Sequence, residues 1–210
     1  MPILTRRGLI VALASAPLVA ARALAGVTTP SQTEGPFYPV DWSGDVDNDL
    51  VLVKGEAAQA LGTVTHISGR ILTPSGAPMP GATVAIWQCD SHGHYLHPGD
   101  QPWFGSFTRD KGFQGRGRMV TGEDGKYSFR TIKPVAYPGR TPHIHFRVGG
   151  PEEDLLTTQM YVAGEPGNDS DDVYNAIRDQ RARTAVTVRL EPANGLEEGA
   201  LAGTFDIVLG

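Results

Sequence analysis

Residues 63–89 read TVTHISGRILTPSGAPMPGATVAIWQC. Two runs rich in β-branched residues, TVTHISGRIL and ATVAIWQC, flank the Pro- and Gly-rich cluster TPSGAPMPG. The first alternates loosely and the second carries a mixed apolar pattern, so the reading is strand, turn, strand. The same grammar recurs downstream. DGKYSFRTI opens on the turn dipeptide Asp124-Gly125, and PHIHFRVGG, LLTTQMYV, TAVTVRLEP and GTFDIVL follow as further strands. One stretch departs from it: residues 170–182, SDDVYNAIRDQRA, have an acidic start and apolar Val173, Ala176 and Ile177, which predicts one short helix capped by Ser170 or Asp171. With 26 glycines and 16 prolines and no long helical pattern, the expected fold is all-β: a β-sandwich of short mixed strands with long loops and one short helix.

Ahead of the strands lie two segments of different character. Residues 1–25, MPILTRRGLIVALASAPLVAARALA, have a charged start, an apolar run over 9–21 and the small-residue ending Ala23-Leu24-Ala25. This is the pattern of an export signal, and the adjacent Arg6 and Arg7 before the apolar run point to the twin-arginine route. A periplasmic or extracellular protein is expected. The apolar run is short for a spanning helix, so no stable membrane insertion is expected. Residues 26–60 are rich in Pro, Gly, Thr and Asp without periodicity and read as an arm lying over a sandwich domain at 61–210. Asp45, Asp47 and Asp49 alternate within the arm, but the glycine and glutamate of a calcium-binding EF-hand loop are missing, so a solvated turn is expected.

Charge and cysteine usage exclude whole classes. Beyond residue 25 there remain 15 basic and 23 acidic side chains, a net charge near −8, which argues against nucleic acid or an anionic membrane as partner. The lone Cys89 has no partner for an internal disulfide and is expected to be a partly buried, inert thiol.

The chemistry concentrates in residues 140–147, RTPHIHFR. In a strand, positions i and i+2 share a face, so His143 and His145 would present two imidazoles to one spot. A cupin-type site would need a glutamate three or four residues later, and the first acid is Glu152. A copper–zinc dismutase site would need histidines after His145, and there are none. A zinc hydrolase would want a third histidine or a carboxylate. His92, His94 and His97 lie upstream in the loop DSHGHYLHPGD and are expected to be solvated, but Tyr95 sits among them. A phenol ionises near pH 10, so a phenolate ligand calls for a strongly Lewis-acidic ion such as Fe(III). Tyr137 lies six residues before His143.

Here the residues resemble a known family. GRILTPSGAPMPGATVAIWQCDSHGHY, FQGRGRMVTGEDGKYSFRTIKPVAYP, RTPHIHFRV and TTQMYV, in that order, closely resemble the intradiol ring-cleavage dioxygenases. TPSQTEGPFYP resembles the N-terminal arm of protocatechuate 3,4-dioxygenase subunits. The resemblance implies a non-haem Fe(III) bound by Tyr95, Tyr137, His143 and His145. It implies a substrate-facing, charge-stabilising Arg140, a pocket glutamine at Gln159, and a pocket border formed by the arm at Gly35 and Phe37. Tyr137 would be the ligand displaced by substrate, and so catalytic with Arg140. The implied reaction cleaves a catechol-type ring with O2 to a cis,cis-muconic acid, and family arms often make contacts between copies in a homo-oligomer. Departures from the pattern include the connection from Tyr137 to His143, which is short, and the export signal, which points to an exported branch. Tyr127, Tyr161 and Tyr174 are expected in core or surface roles. A competing expectation remains, because SGRILTPSGAPMPGATVAIW followed by TGEDGKYSF is also the pattern of transthyretin-like β-sandwich modules that bind carbohydrate or protein and need no histidine pair.

Overall fold

The first two predicted strands form as β1, Val64–Leu72, and β2, Thr83–Trp87, but they do not pair. They belong to different sheets, so the turn cluster between them carries the chain from one layer to the other. This computed structural model describes residues 26–100, 109–150 and 154–210; the expected export segment lies outside the described residues. In the first sheet β1 pairs antiparallel with β4, Lys126–Ile132, from Val64 opposite Ile132 to Arg70 opposite Lys126. It also pairs in parallel with β9, Leu201–Thr204, and then with β10, Ile207–Val208; β8, Glu191–Pro192, lies beyond β9. The second sheet runs β3, Arg116–Val120; β2; β5, His143–Gly149; β6, Asp154–Val162; and β7, Thr187–Val188.

The core lies between the sheets. Ile67, Ile71 and Phe129 face it from the first layer, and Val84, Ile86, Ile144, Phe146 and Val148 from the second, all buried. Each such side chain contributes roughly 1.5–3 kcal/mol of burial free energy. A buried polar link crosses the layers: Thr131 Oγ1 donates to Gln88 Oε1 at 2.9 Å, and Gln88 Nε2 donates to the Ile132 carbonyl at 3.2 Å. The amide is buried at no net loss because both its ends are paired.

Several details differ from the sequence expectation. β3 was not anticipated, because RGRMV carries no apolar alternation; it forms because the β2 edge offers a ladder from Thr83–Val120 to Trp87–Arg116. TAVTVRLEP is not one strand but β7 and β8, which sit in different sheets. The single predicted helix is two, α1 over Asp172–Asn175 and α2 over Gln180–Ala185, preceded by a 3₁₀ turn at Pro166–Asp169. The break has a local cause: Asp179 is extended (φ −74, ψ 120) and its carboxylate accepts from Arg181 N and Ala182 N, opening a second helix. Asp171, rather than Ser170, caps α1 through Tyr174 N. Among the described residues no helix is long and apolar enough to cross a membrane.

The arm is more than a cover. Leu50 and Val51 are fully buried in the core. Asp47 and Asp45 accept backbone N–H groups of Asp49 and Lys54, and Asp49 pairs with Arg130 at 3.0 Å, so the three acids shape a turn. Towards its start, Thr29 N donates to Val208 O of β10 and Gln32 N to Thr157 O of β6, both at 2.8 Å, which ties the arm to one strand of each sheet.

One contact between strands sets a sharp stability test. A Cβ on Gly69 would stand 1.9 Å from the Phe205 carbonyl oxygen and 2.9 Å from Tyr127 Oη, which donates to that same carbonyl. Gly69→Ala is therefore expected to destabilise the protein by about 3 kcal/mol. Urea unfolding would measure it, and a loss below about 1 kcal/mol would show that β1 and residue 205 separate freely.

Candidate active site

Strand β5 alternates. Ile144, Phe146 and Val148 point into the core, while His143 and His145 point to the other face, where they are only 1% and 2% exposed. Their Nε2 atoms stand 3.1 Å apart. His143 Nδ1 lies 2.6 Å from the Thr141 carbonyl, which assigns the proton to Nδ1 and leaves Nε2 as a bare lone pair. On the neighbouring ladder positions, Trp87 of β2 and Gln159 of β6 flank His145. The Trp87 ring stacks on the imidazole with centroids 4.8 Å apart and planes within 9°.

Two tyrosines reach this point from loops. Tyr95 follows β2 in a loop wound around buried carboxylates: Asp90 Oδ1 accepts from His92 N and His94 N, and Asp100 Oδ2 accepts from Tyr95 N at 2.5 Å. His92 and His94 lie beside Asp90 and Asp100, and His97 Nδ1 accepts from Gly99 N. Their loop braces Tyr95. Tyr137 stands on a tight hairpin closed by Tyr137 N to Arg140 O (3.2 Å) and Arg140 N to Tyr137 O (2.9 Å), with Gly139 at φ +80 at its tip. That hairpin sets Tyr137 and Arg140 side by side just before β5. Tyr95 Oη lies 3.3 Å and Tyr137 Oη 3.5 Å from His143 Nε2.

So three polar atoms crowd one imidazole lone pair, which can accept one good hydrogen bond. Burial, and then the Arg140 charge, lower the His143 pKa to about 4, and burial followed by His143 drives His145 well down. Burial pushes the Tyr95 phenol well above its usual value and Tyr137 upward as well, with hydrogen bonds from Tyr95 and the charge of Arg140 opposing the latter. Left alone, the cluster is two neutral imidazoles and two protonated phenols with too few partners. A single strongly Lewis-acidic cation at the centre would satisfy all four donors, which is the fit expected of iron. Among the described residues no group of three or more His, Cys, Asp and Glu side chains could hold a metal, so a metal at this point would need the phenols among its donors.

Arg140 is held at one edge of the cluster. Its Nε donates to Asp171 Oδ2 at 2.9 Å, Nη2 to Gln159 Oε1 at 2.5 Å, and Nη1 lies 3.5 Å from Tyr137 Oη. Gln159 Nε2 donates to the Thr33 carbonyl at 2.9 Å, and Tyr161 Oη, itself hydrogen-bonded by Gln32 Nε2, donates to Gln159 Oε1 at 3.1 Å. The arm closes the site from above. Gly35, at φ +73, lies so near that a Cβ would be 3.4 Å from His145 Cε1, and Phe37 stacks on Tyr95 at 5.1 Å. A cleft of about 190 Å³ opens beside Tyr137, Arg140, Thr141 and Asp171. A larger groove of about 440 Å³, lined by Tyr38, Trp42, Arg118 and Arg147, lies farther along the sheet and includes none of the four donors.

The residues that the family resemblance implies for the site fall in one region: Tyr95, Tyr137, His143 and His145 meet, Arg140 and Gln159 bond to each other, and Gly35 and Phe37 border them. Sequence reasoning missed Trp87 and Gln32, and missed the place at the site of Tyr161, expected in a core or surface role, and of Asp171, expected only as a helix cap. Trp87 could have been found only from the strand register, and Asp171 is separated from Arg140 by 31 positions that carry no signal of their contact.

A sequence model of the family described as Dioxygenase matches residues 33–210. The protocatechuate 3,4-dioxygenase beta chain of Burkholderia cepacia is 35% identical over 182 residues, covering 83% of this chain and 76% of that one. A 6-chlorohydroxyquinol 1,2-dioxygenase of Cupriavidus pinatubonensis is 34% identical over 160 residues, and the match spans 66% of this chain but only 52% of that relative. The solved dioxygenase domain of a dioxygenase–carbohydrate-binding fusion from Streptomyces sp. SirexAA-E aligns with a TM-score of 0.64 at 32% identity, over 87% of this chain and 98% of that one.

Cys89, 1% exposed beside this cluster, gives a chemical test of the packing. Burial first, and the Asp90 charge second, push its thiol up to about 12. An unfolded thiol ionises near pH 8.5. The stability this proton contributes is complete below that pH and is lost as pH rises towards the folded value. Iodoacetamide at pH 8 should leave the native protein unmodified and alkylate it only in denaturant. Alkylation of the native protein at a free-thiol rate would show that the cluster is open.

Proposed function

Because the chain belongs to the intradiol ring-cleavage dioxygenase family, we propose that it opens a catechol-type ring between its two oxygen-bearing carbons, with O2 as oxidant. The observation that carries this reading is the convergence of Tyr95, Tyr137, His143 and His145 on one desolvated point. These four would hold a non-haem Fe(III). Bound there, Fe(III) would supply the Lewis acidity that keeps both phenols ionised and draws electron density from a chelated catecholate.

The chain's own residues divide the remaining work. His143 offers Nε2 because Thr141 holds its other nitrogen. Tyr95 is sealed beneath Phe37 and is the phenolate that stays. Tyr137 is half-buried at the mouth, beside the Arg140 guanidinium, and is the one that yields its place and takes a catechol proton at Oη. Arg140 places a fixed cation against the ring as negative charge builds there. The arm at Gly35 and Phe37 excludes water, which strengthens that charge effect. The reaction balances without a reductant, since both atoms of O2 enter the product, a cis,cis-muconic acid.

On the substrate, the short connection from Tyr137 to His143 and the export signal expected at 1–25 support catechols met outside the cytoplasm. The signal supports a periplasmic or extracellular location by the twin-arginine route. The alternative of a non-catalytic transthyretin-like module is not favoured, because a binding module gains nothing from a buried, poorly satisfied donor cluster.

A visible absorption spectrum of the purified protein tests the reading, before and after catechol is added without oxygen. A broad phenolate-to-Fe(III) band that moves to longer wavelength with catechol is expected. A protein that stays colourless after loading with Fe(III) would refute it. Arg140→Ala should keep iron and colour while the rate falls by on the order of 10²-fold or more, whereas Tyr95→Phe and His143→Ala should lose iron or its colour. Retained turnover in Arg140→Ala with a normal spectrum would remove Arg140 from the chemistry.

A further inference from the structure

We propose that Asp171 is a positioning residue for Arg140, and that its carboxylate sets the plane of the guanidinium which faces the reacting ring; this rests on the functional reading above. The Asp171 side chain is fully buried. It joins three parts of the chain that are remote in sequence. Oδ1 accepts from Tyr174 N at 2.8 Å and so caps α1, while Oδ2 accepts both from Thr141 N, just before β5, and from Arg140 Nε, each at 2.9 Å.

A helix cap alone does not account for this. Asn or Ser caps a helix as well as Asp, and α1 is only four residues long. Burying a carboxylate costs several kcal/mol unless its charge is matched, and here the matching charge is Arg140. A guanidinium is a rigid plane, so two anchors on different edges fix its orientation. Asp171 at Nε and Gln159 at Nη2 are those two anchors, and they leave Nη1 directed at Tyr137 Oη. With the Asp171 charge removed, the plane can turn about the Gln159 contact. A catalytic cation displaced by about 1 Å can cost on the order of 10²-fold in rate.

The experiment is a double-mutant cycle on the iron-loaded protein with catechol as substrate, comparing wild type, Asp171→Asn, Arg140→Ala and the pair. Asp171→Asn should lower kcat about tenfold or more, with a smaller change in KM and with iron content and the resting visible band unchanged. In the Arg140→Ala background the same substitution should lower kcat by less than about twofold, because the residue it acts through is already gone. Asp171→Ser, which also keeps a good helix cap, should behave as Asp171→Asn does. Equal losses with and without Arg140 would overturn the proposal. So would a kcat within about twofold of wild type, loss of iron or its colour in Asp171→Asn, or failure of both Asp171 variants to fold. Wild-type protein that takes up no iron and turns over no catechol would instead overturn the functional reading, and this proposal with it.

Discussion

Strand β5 is buried on both faces, and most of the architecture answers to that. On one face Ile144, Phe146 and Val148 join the core, which any sandwich would ask of them. On the other, two imidazoles leave water without an apolar layer to meet them. A polar side chain can be buried only if it is given partners. Those partners come from everywhere else in the chain: Trp87 from the adjacent strand, Tyr95 and Tyr137 from loops at the same end of the sheet, and the arm from the N-terminal side. The arm has an outer face to cover because β5 has polar residues there, and its own burial at Leu50 and Val51 ties that cover into the core.

A second layer of polar contacts stiffens the first. Gln159 lies opposite His145 on the ladder and passes its carbonyl to Arg140 and its amide to the arm at Thr33. Asp171 brings the helical segment 166–185 to the same guanidinium. The carboxylate stays ionised: burial raises its pKa, but the N–H groups of Tyr174 and Thr141 and the Arg140 charge outweigh that and hold it below the usual range. Burial likewise opposes the charge on Arg140, and Tyr137 and Asp171 overcome it. The result is a cation held in a nearly dry site, an arrangement with little freedom to reorganise during a reaction.

Much of this was legible in the chain. Loose alternation marked β1, the turn dipeptide Asp124-Gly125 marked the start of β4, and short runs between turn signals marked β5 and β6. The spacing of His143 and His145 put both rings on one face, because alternate residues of a strand share a face. Segments whose structure depends on a remote partner were read poorly. RGRMV became β3 only because β2 had a free edge to offer, and 184–192 divided between two sheets because it crosses the sandwich. The helix at 170–182 split at Asp179, whose carboxylate acts as a second cap.

The sequence by itself determined the class of the fold, the pair of imidazoles and the residue types that could join them. These are properties of local periodicity and of side-chain chemistry. Only the tertiary structure decided that Trp87 packs on His145, that Gln32 and Tyr161 reach Gln159, and that Asp171 holds Arg140. Each of those contacts joins segments that are distant in the chain, through strand register or loop closure. No periodicity records such distances, because they are set by how the two layers and the arm pack together.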